Sequence, residues 1–156
     1  MRLYIETSVW NMLIDEDPVN VAKRDATREL LNEAFAGKHE LFVSDLVLQE
    51  VGADPSPTHR AQLEESITQS QAEILRENPQ VLELGRAYAA QRIVPEKYLD
   101  DATHIAYAVY ARLDVVVSWN LRHIVKVRTR REIREYNEKH GRHVPDVATP
   151  SEVIRS

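Results

Sequence analysis

The sequence predicts an α/β fold: a three-layer α/β/α sandwich around a mostly parallel central sheet. Three observations carry that expectation. Short apolar runs alternate with helical stretches of about ten residues or more, as in βαβ units. Cap-and-proline pairs, Ser56–Pro57 and Asn78–Pro79, stand where helices should open. The 156 residues, 43% of them hydrophobic, suit one domain with its own core, and no repeat, low-complexity tract or linker divides residues 1–156.

The elements follow in order. "RLYIE" (2–6) reads as a first strand. "NVAKRDATRELLNEAFAGK" (20–38) reads as an amphipathic helix, with Val21, Leu30, Leu31, Ala34 and Phe35 at helical spacing and Gly37 as its C-cap. "HELFVS" (39–44) is the second strand, and Ser44 is placed to cap the helix "DLVLQEV". Pro57 opens a helix running to about residue 71, "AEILR" (72–76) is a short strand, and Asn78–Pro79 opens "QVLELGRAYAAQRI", which Pro95 stops. "YLDDATHIAYAVYARL" (98–113) is strongly helical and rich in alanine. "DVVVSW" (114–119), with three consecutive valines, is the clearest buried strand. "RTRREIREYNEKHG" is a polar helix closed by Gly141, and the tail from His143 adds an edge strand and a helical turn.

Composition limits the function. There is no cysteine, hence no disulfide and no thiolate metal site. The apolar runs fall far short of the roughly 20 residues that cross a bilayer, and the N-terminus has no leader pattern; a soluble cytoplasmic protein is expected. The net charge of −5 argues against a global positive field for nucleic acid. Residues 122–134, however, carry Arg122, Lys126, Arg128, Arg130, Arg131 and Arg134 against Glu132 alone. On charge alone that run suits a solvated helix face and a polyanion contact equally.

A parallel sheet binds ligands beyond the carboxyl ends of its strands. Glu6 ends the first strand, Glu50 lies two turns into the helix after the second, Asp100 and Asp101 open the helix before the valine strand, and Ser118 and Asn120 end that strand. Clustered carboxylates repel one another, and a hard divalent ion such as Mg²⁺ or Mn²⁺ relieves the repulsion. Acids in a first helical turn also meet free N–H groups and the helix dipole, which alone accounts for Asp100 and Asp101.

The ordered set "YIETSV" (4–9), "SDLVLQEV" (44–51), "DDATHIAYAVYA" (100–111), "DVVVSWNLRHI" (114–124) and the tail "EYNEKHGRHVPDVATPSEVI" resembles the PIN-domain family, in particular the VapC-type toxins of toxin–antitoxin pairs. The resemblance covers nearly the whole chain. It implies a metal-dependent endoribonuclease acting on RNA, with Mg²⁺ or Mn²⁺ as cofactor, a homodimer, and a cognate antitoxin as partner. The family's acids fall on Glu6, Glu50 and Asp101, with Asp100 adjacent, and its hydroxyl residue near the last strand falls on Ser118, with Asn120 beyond. Two departures stand out. Glu6 replaces the usual Asp, which requires the longer side chain to fold back or the ion to shift by about an ångström, a scale of misplacement that costs roughly 100-fold in rate. No acid lies between Asp114 and Glu132, and His123 stands where a fourth is expected; it suits a hydrogen bond to a phosphate, proton transfer or a satisfied place at the surface. His104, three residues after Asp101, is placed to bond Asp101 or to sit in the core. Thr7 is placed to position water or phosphate. Trp10 and Trp119 flank the rim, as bases or core require. The alternative reading is a catalytically weak or inert RNA- or protein-binding module on the same fold. A haloacid-dehalogenase-like phosphatase is disfavoured because no D-x-D follows the first strand.

Overall fold

The computed structural model describes residues 1–156. Its strands are β1 (Arg2–Ile5), β2 (Glu40–Ser44), β3 (Glu73–Leu75), β4 (Val115–Val117) and β5 (Asp146–Ala148). They form one sheet in the order β3-β2-β1-β4-β5, with every neighbouring pair parallel. The helices are α1 (Thr7–Ile14), α2 (Val21–Phe35), α3 (Asp45–Gly52), α4 (Pro57–Ser70), α5 (Pro79–Ala90), α6 (Leu99–Tyr110), α7 (Val127–Lys139) and α8 (Pro150–Ile154). The result is the expected three-layer α/β/α sandwich, with a wholly parallel sheet. No helix is long and apolar enough to cross a membrane.

Chain order explains where a site can form. The first three strands step outward from β1 to β3; the chain then returns to lay β4 on the other side of β1. The strand order reverses between β1 and β4, so the segments leaving their carboxyl ends diverge and open a crevice. The two strands flanking it are buried on both faces: Leu3, Tyr4, Ile5, Val116 and Val117 are inaccessible and Val115 nearly so. This explains the continuous valine run, since a central parallel strand has no solvent side.

The helix ends follow local chemistry. Ser44, Ser56 and Asn78 accept hydrogen bonds from the N–H groups of Val47, His59 and Val81, as their cap positions predict. Thr149 and Glu152 form a reciprocal capping box on α8. Gly37 takes a positive φ of 87° just beyond α2, where its N–H bonds the Ala34 carbonyl.

Three expectations are corrected here. The segment after β1 carries a helix, α1, which sequence reasoning left without an element; Glu6 is its N-cap, a residue type that gives no start signal. The long second helix begins at Val21 after a 3₁₀ turn at Pro18–Asn20, and Phe35 on it is 67% exposed instead of facing the core. The long apolar-faced helices α2 and α5 would offer the expected homodimer surface to spare beyond what the sheet covers, but those faces are largely covered within the chain: Ala26, Leu30, Leu31, Val81, Leu84 and Tyr88 are all buried.

Helix α6 carries two of the candidate site residues, and its position depends on contact with α5. A Cβ built on Gly85 would lie 2.7 Å from Thr103 Oγ1 and 3.2 Å from its Cα. That hydroxyl is itself fixed by donation to the Leu99 carbonyl (2.9 Å). Gly→Ala within a helix ordinarily stabilises by about 0.5–1 kcal/mol. Here overpacking outweighs propensity, and Gly85→Ala is expected to destabilise by about 1–3 kcal/mol. Urea unfolding of Gly85→Ala and of Gly85→Ala/Thr103→Ala checks this. The double variant should recover part of the loss; a more stable single variant would refute the close-packing account.

A candidate metal centre at the reversal of strand order

Glu6 sits where β1 gives out and α1 begins, and its side chain is almost wholly buried. Its backbone N–H still continues the ladder, donating to the Val117 carbonyl (3.1 Å). The carboxylate curls back onto the helix it starts: Oε2 accepts from Ser8 N (3.1 Å). Oε1 accepts from the hydroxyls of Ser8 and Ser118, each at 2.5 Å. The longer side chain therefore does fold back, and donors from both sides of the reversal point hold it. Ser8 also takes the Trp119 N–H (2.8 Å), tying the ends of β1 and β4 together. Sequence reasoning gave Ser8 no role, because a serine in a first helical turn is unremarkable until its partners are known.

Glu50 reaches the same place from α3. Its Oε1 accepts from Thr7 Oγ1 (2.6 Å) and faces His104 Nε2 (2.7 Å), while Oε2 has no protein donor. Burial pushes the Glu50 carboxyl upward, but the His104 bond and charge and the Thr7 hydroxyl together hold it below its ordinary value. It is therefore ionised at neutral pH, so the His104 nitrogen facing it must carry a proton and donate.

Asp101, in the first turn of α6, is partly buried. Its Oδ2 lies 3.0 Å from His123 Nδ1. Burial lifts its pKa above the ordinary value, and the negative charge of Glu6 lifts it further, against the lowering effect of the His123 bond. His123 is held in turn: its backbone N–H donates to Asn120 Oδ1 (2.9 Å), its carbonyl accepts from Thr129 Oγ1 (3.1 Å), and its ring lies 3.9 Å from that of Tyr98. Asn120 thus braces the loop after β4. Ser118 is fully buried, donating to Glu6 and accepting from Asn120 N (2.9 Å).

His104 was expected either to bond Asp101 or to sit in the core, and the core reading is nearer. The side chain is fully buried and paired with Glu50 instead, with Nδ1 2.6 Å from the Tyr4 hydroxyl. Burial alone would lower its pKa; the Glu50 bond and the charges of Glu6, Glu50 and Asp101 carry it above the ordinary value. Asp100 is exposed on the neighbouring position of α6 and makes no hydrogen bond that brings it to the cluster. Trp10 is a core residue, inaccessible and donating to the Ile5 carbonyl (3.3 Å), and Trp119 packs inward with its N–H on Thr27 Oγ1 (2.9 Å).

Ligand atoms of Glu6, Glu50 and His104 all lie within 4.8 Å of one another. A divalent metal fits this donor set: hard carboxylate oxygens, no thiolate, and Glu50 Oε2 left without a donor.

Comparison with known proteins agrees with this fold. Residues 3–129 match the PIN domain. The fold is similar to VapBC2 from Rickettsia felis, solved bound to a DNA fragment from its promoter (TM-score 0.60, 14% identity, 96% of this chain and 98% of that one). It is also similar to Mycobacterium tuberculosis VapC20, a toxin that cleaves the sarcin–ricin loop (TM-score 0.55, 15% identity, 73% of this chain and 86% of that one). No curated protein matches the sequence.

The raised pKa of Asp101 fixes a sign. Its contribution to stability is full below the ordinary value of 3.8 and is lost as pH rises through the higher folded-state value. At neutral pH without metal, the ionised Asp101 therefore opposes folding, and Asp101→Asn should raise Tm in EDTA. Added Mn²⁺ should raise Tm for the wild type and not for the variant. A lower Tm for Asp101→Asn in EDTA would mean that the ionised Asp101 does not oppose folding.

Proposed function

The chain belongs to the PIN-domain family, and we propose that it is a divalent-metal-dependent endoribonuclease, the toxin of a toxin–antitoxin pair. The observation that carries this reading is the gathering of ligand atoms of Glu6, Glu50 and His104 within 4.8 Å of one another where the strand order reverses, with Asp101 near enough for the charge of Glu6 to raise its pKa. In this reading Glu50 Oε2, the Asp101 carboxylate and the outer side of Glu6 hold Mg²⁺ or Mn²⁺. A divalent ion there supplies a water of lowered pKa and offsets the charge of a scissile phosphate.

The protein's own groups do the rest. Ser8 and Ser118 fix Glu6 in one rotamer, and Thr7 fixes Glu50, so that both acids meet the substrate in a set geometry. His123, braced by Asn120 and 13% exposed, holds Asp101 and in this reading donates to a phosphate oxygen or a leaving group. Hydrolysis by water makes no demand on a ribose 2′-hydroxyl.

The basic run is divided by its partners. Arg128, Arg130 and Arg134 face Glu132 (3.1 Å), Glu152 (2.7 Å) and Glu138 or Asp146 (3.8 Å each). Arg122 and Lys126 have no acidic partner and flank His123 in sequence. They are the better phosphate contacts for an incoming RNA strand. The same reading carries a cognate antitoxin, a homodimer and a cytoplasmic place of action; exposed Val19, Val21 and Phe35 favour a protein partner.

A second reading, an inert binding module, is favoured by one observation: both Glu6 oxygens already accept protein donors. Cleavage of RNA with Mn²⁺ and with EDTA separates the two. Metal-dependent cleavage is expected, retained in Glu6→Asp and largely lost in Glu6→Gln; equal activity in wild type and Glu6→Gln would remove Glu6 from the machinery. In an Asp101→Asn background, Arg122→Ala/Lys126→Ala should weaken binding of different RNAs by similar factors. The log–log salt slope should flatten by about 0.7 per lost phosphate contact. Arg130→Ala should change neither, and the opposite pattern would move the contact onto α7.

A further inference from the structure

A line of hydrogen bonds runs from the sheet interior to Glu50, and neither the fold nor the metal-binding reading requires it. Ser44 Oγ caps α3 by accepting from Val47 N (3.2 Å) and also lies 2.7 Å from the Tyr4 hydroxyl. The Tyr4 hydroxyl lies 2.6 Å from His104 Nδ1, and His104 Nε2 lies 2.7 Å from Glu50 Oε1. Ser44, Tyr4 and His104 are all inaccessible to solvent. A buried hydroxyl pair and imidazole cost stability unless each is satisfied, and an apolar trio would fill the same space more simply.

The directions of the bonds are constrained. Glu50 as a carboxylate only accepts, so His104 Nε2–H donates to it. With the ring neutral, Nδ1 accepts from the Tyr4 hydroxyl, which accepts from Ser44; with the ring charged, Nδ1–H donates to the Tyr4 oxygen and Tyr4 donates to Ser44; in both states Ser44 Oγ accepts from Val47 N. In both states the line closes with Nε2–H directed at Glu50 Oε1. At its end Oε1 takes two donors, His104 and Thr7, and Oε2 takes none.

Resting on the metal-binding reading above, we propose that Ser44, Tyr4 and His104 aim Glu50, and that His104 is a positioning residue that does not ligate the metal, although its Nε2 lies within reach of the carboxylates. The line saturates Oε1 and turns Oε2 alone to the ion. It also links three elements: Tyr4 is on β1, Ser44 joins β2 to α3, and His104 is on α6. The orientation of Glu50 therefore depends on the packing of the sheet against α6.

Two amides separate the roles of the ring nitrogens. The side-chain nitrogen of His104→Gln falls near the place of Nε2 and can donate to Glu50. That of His104→Asn falls near Nδ1, keeps contact with Tyr4 and cannot reach Glu50. The readouts are Mn²⁺ affinity by calorimetry, thermal unfolding, and the separation of kcat from KM in RNA cleavage. His104→Gln should hold Mn²⁺ affinity within about threefold of wild type, and His104→Asn should lose about 10–100-fold, as removal of a ligand's supporting partner does. Tyr4→Phe should reduce kcat and Mn²⁺ affinity while leaving KM for RNA unchanged, because it touches no substrate. Equal large losses of Mn²⁺ affinity in the Gln and Asn variants, both folded, would overturn the proposal in favour of His104 as a ligand. Unchanged affinity in His104→Asn would overturn it in favour of a core histidine. Wild type that binds no Mn²⁺ would overturn it as well. Wild type that binds Mn²⁺ with the predicted ranking but leaves RNA intact would uphold the positioning line and remove only the ribonuclease reading.

Discussion

Burial of carboxylates at the point where β1 and β4 part is the constraint around which the surrounding structure is arranged. Glu6 is nearly buried, Glu50 and Asp101 are partly so, and the charge of Glu6 is felt at Asp101. An isolated buried charge is costly, so each acid has acquired donors. Ser8 and Ser118 serve Glu6, Thr7 and His104 serve Glu50, and His123 serves Asp101. These donors come from β1–α1, α6 and the segment after β4, which accounts for the seams where those elements join. The close fit of Gly85 on Thr103 belongs to the same arrangement, because α6 brings both Asp101 and His104.

The replacement of the family's usual first Asp by Glu now has a local explanation. A glutamate can place one oxygen on the N–H of the residue two ahead and the other on two hydroxyls, so it serves as helix cap and acidic group together. His123, at the place of an expected acid, lowers the negative charge of the cluster and gives Asp101 a hydrogen-bond partner. Both changes add hydrogen bonding, and His123 also takes a negative charge out of the cluster. They leave fewer free carboxylate oxygens, which in the proposed reading favours a single ion over a pair.

Much of the fold was legible in the sequence because buried parallel strands and capped helices leave strong local signals. The valine run, Ser44, Ser56–Pro57 and Asn78–Pro79 each lie where the structure uses them. Helix α1 was not legible: its cap is a glutamate, and its buried residues Thr7, Val9 and Trp10 are too few to show a period. Strand-end reasoning placed Glu6, Glu50 and Asp101 on one rim. It could not pair the histidines, because the choice of Glu50 over Asp101 by His104 depends on how α6 lies against α3 and the sheet. Nor could it set Arg130 and Arg134 apart from Arg122, Lys126 and Arg131, since Glu152 and Asp146 lie far along the chain from the arginines that they face.

Anomalous diffraction from a crystal of the wild-type protein soaked in Mn²⁺ tests the central claim most directly. The account predicts one manganese peak among the carboxylates of Glu6, Glu50 and Asp101. Glu50 Oε2 should lie at a direct metal–oxygen distance of roughly 2.0–2.6 Å, and His104 Nε2 should remain bonded to Oε1. A peak ligated by His104, or one on Asp100 or elsewhere on the surface with this cluster empty, would contradict it.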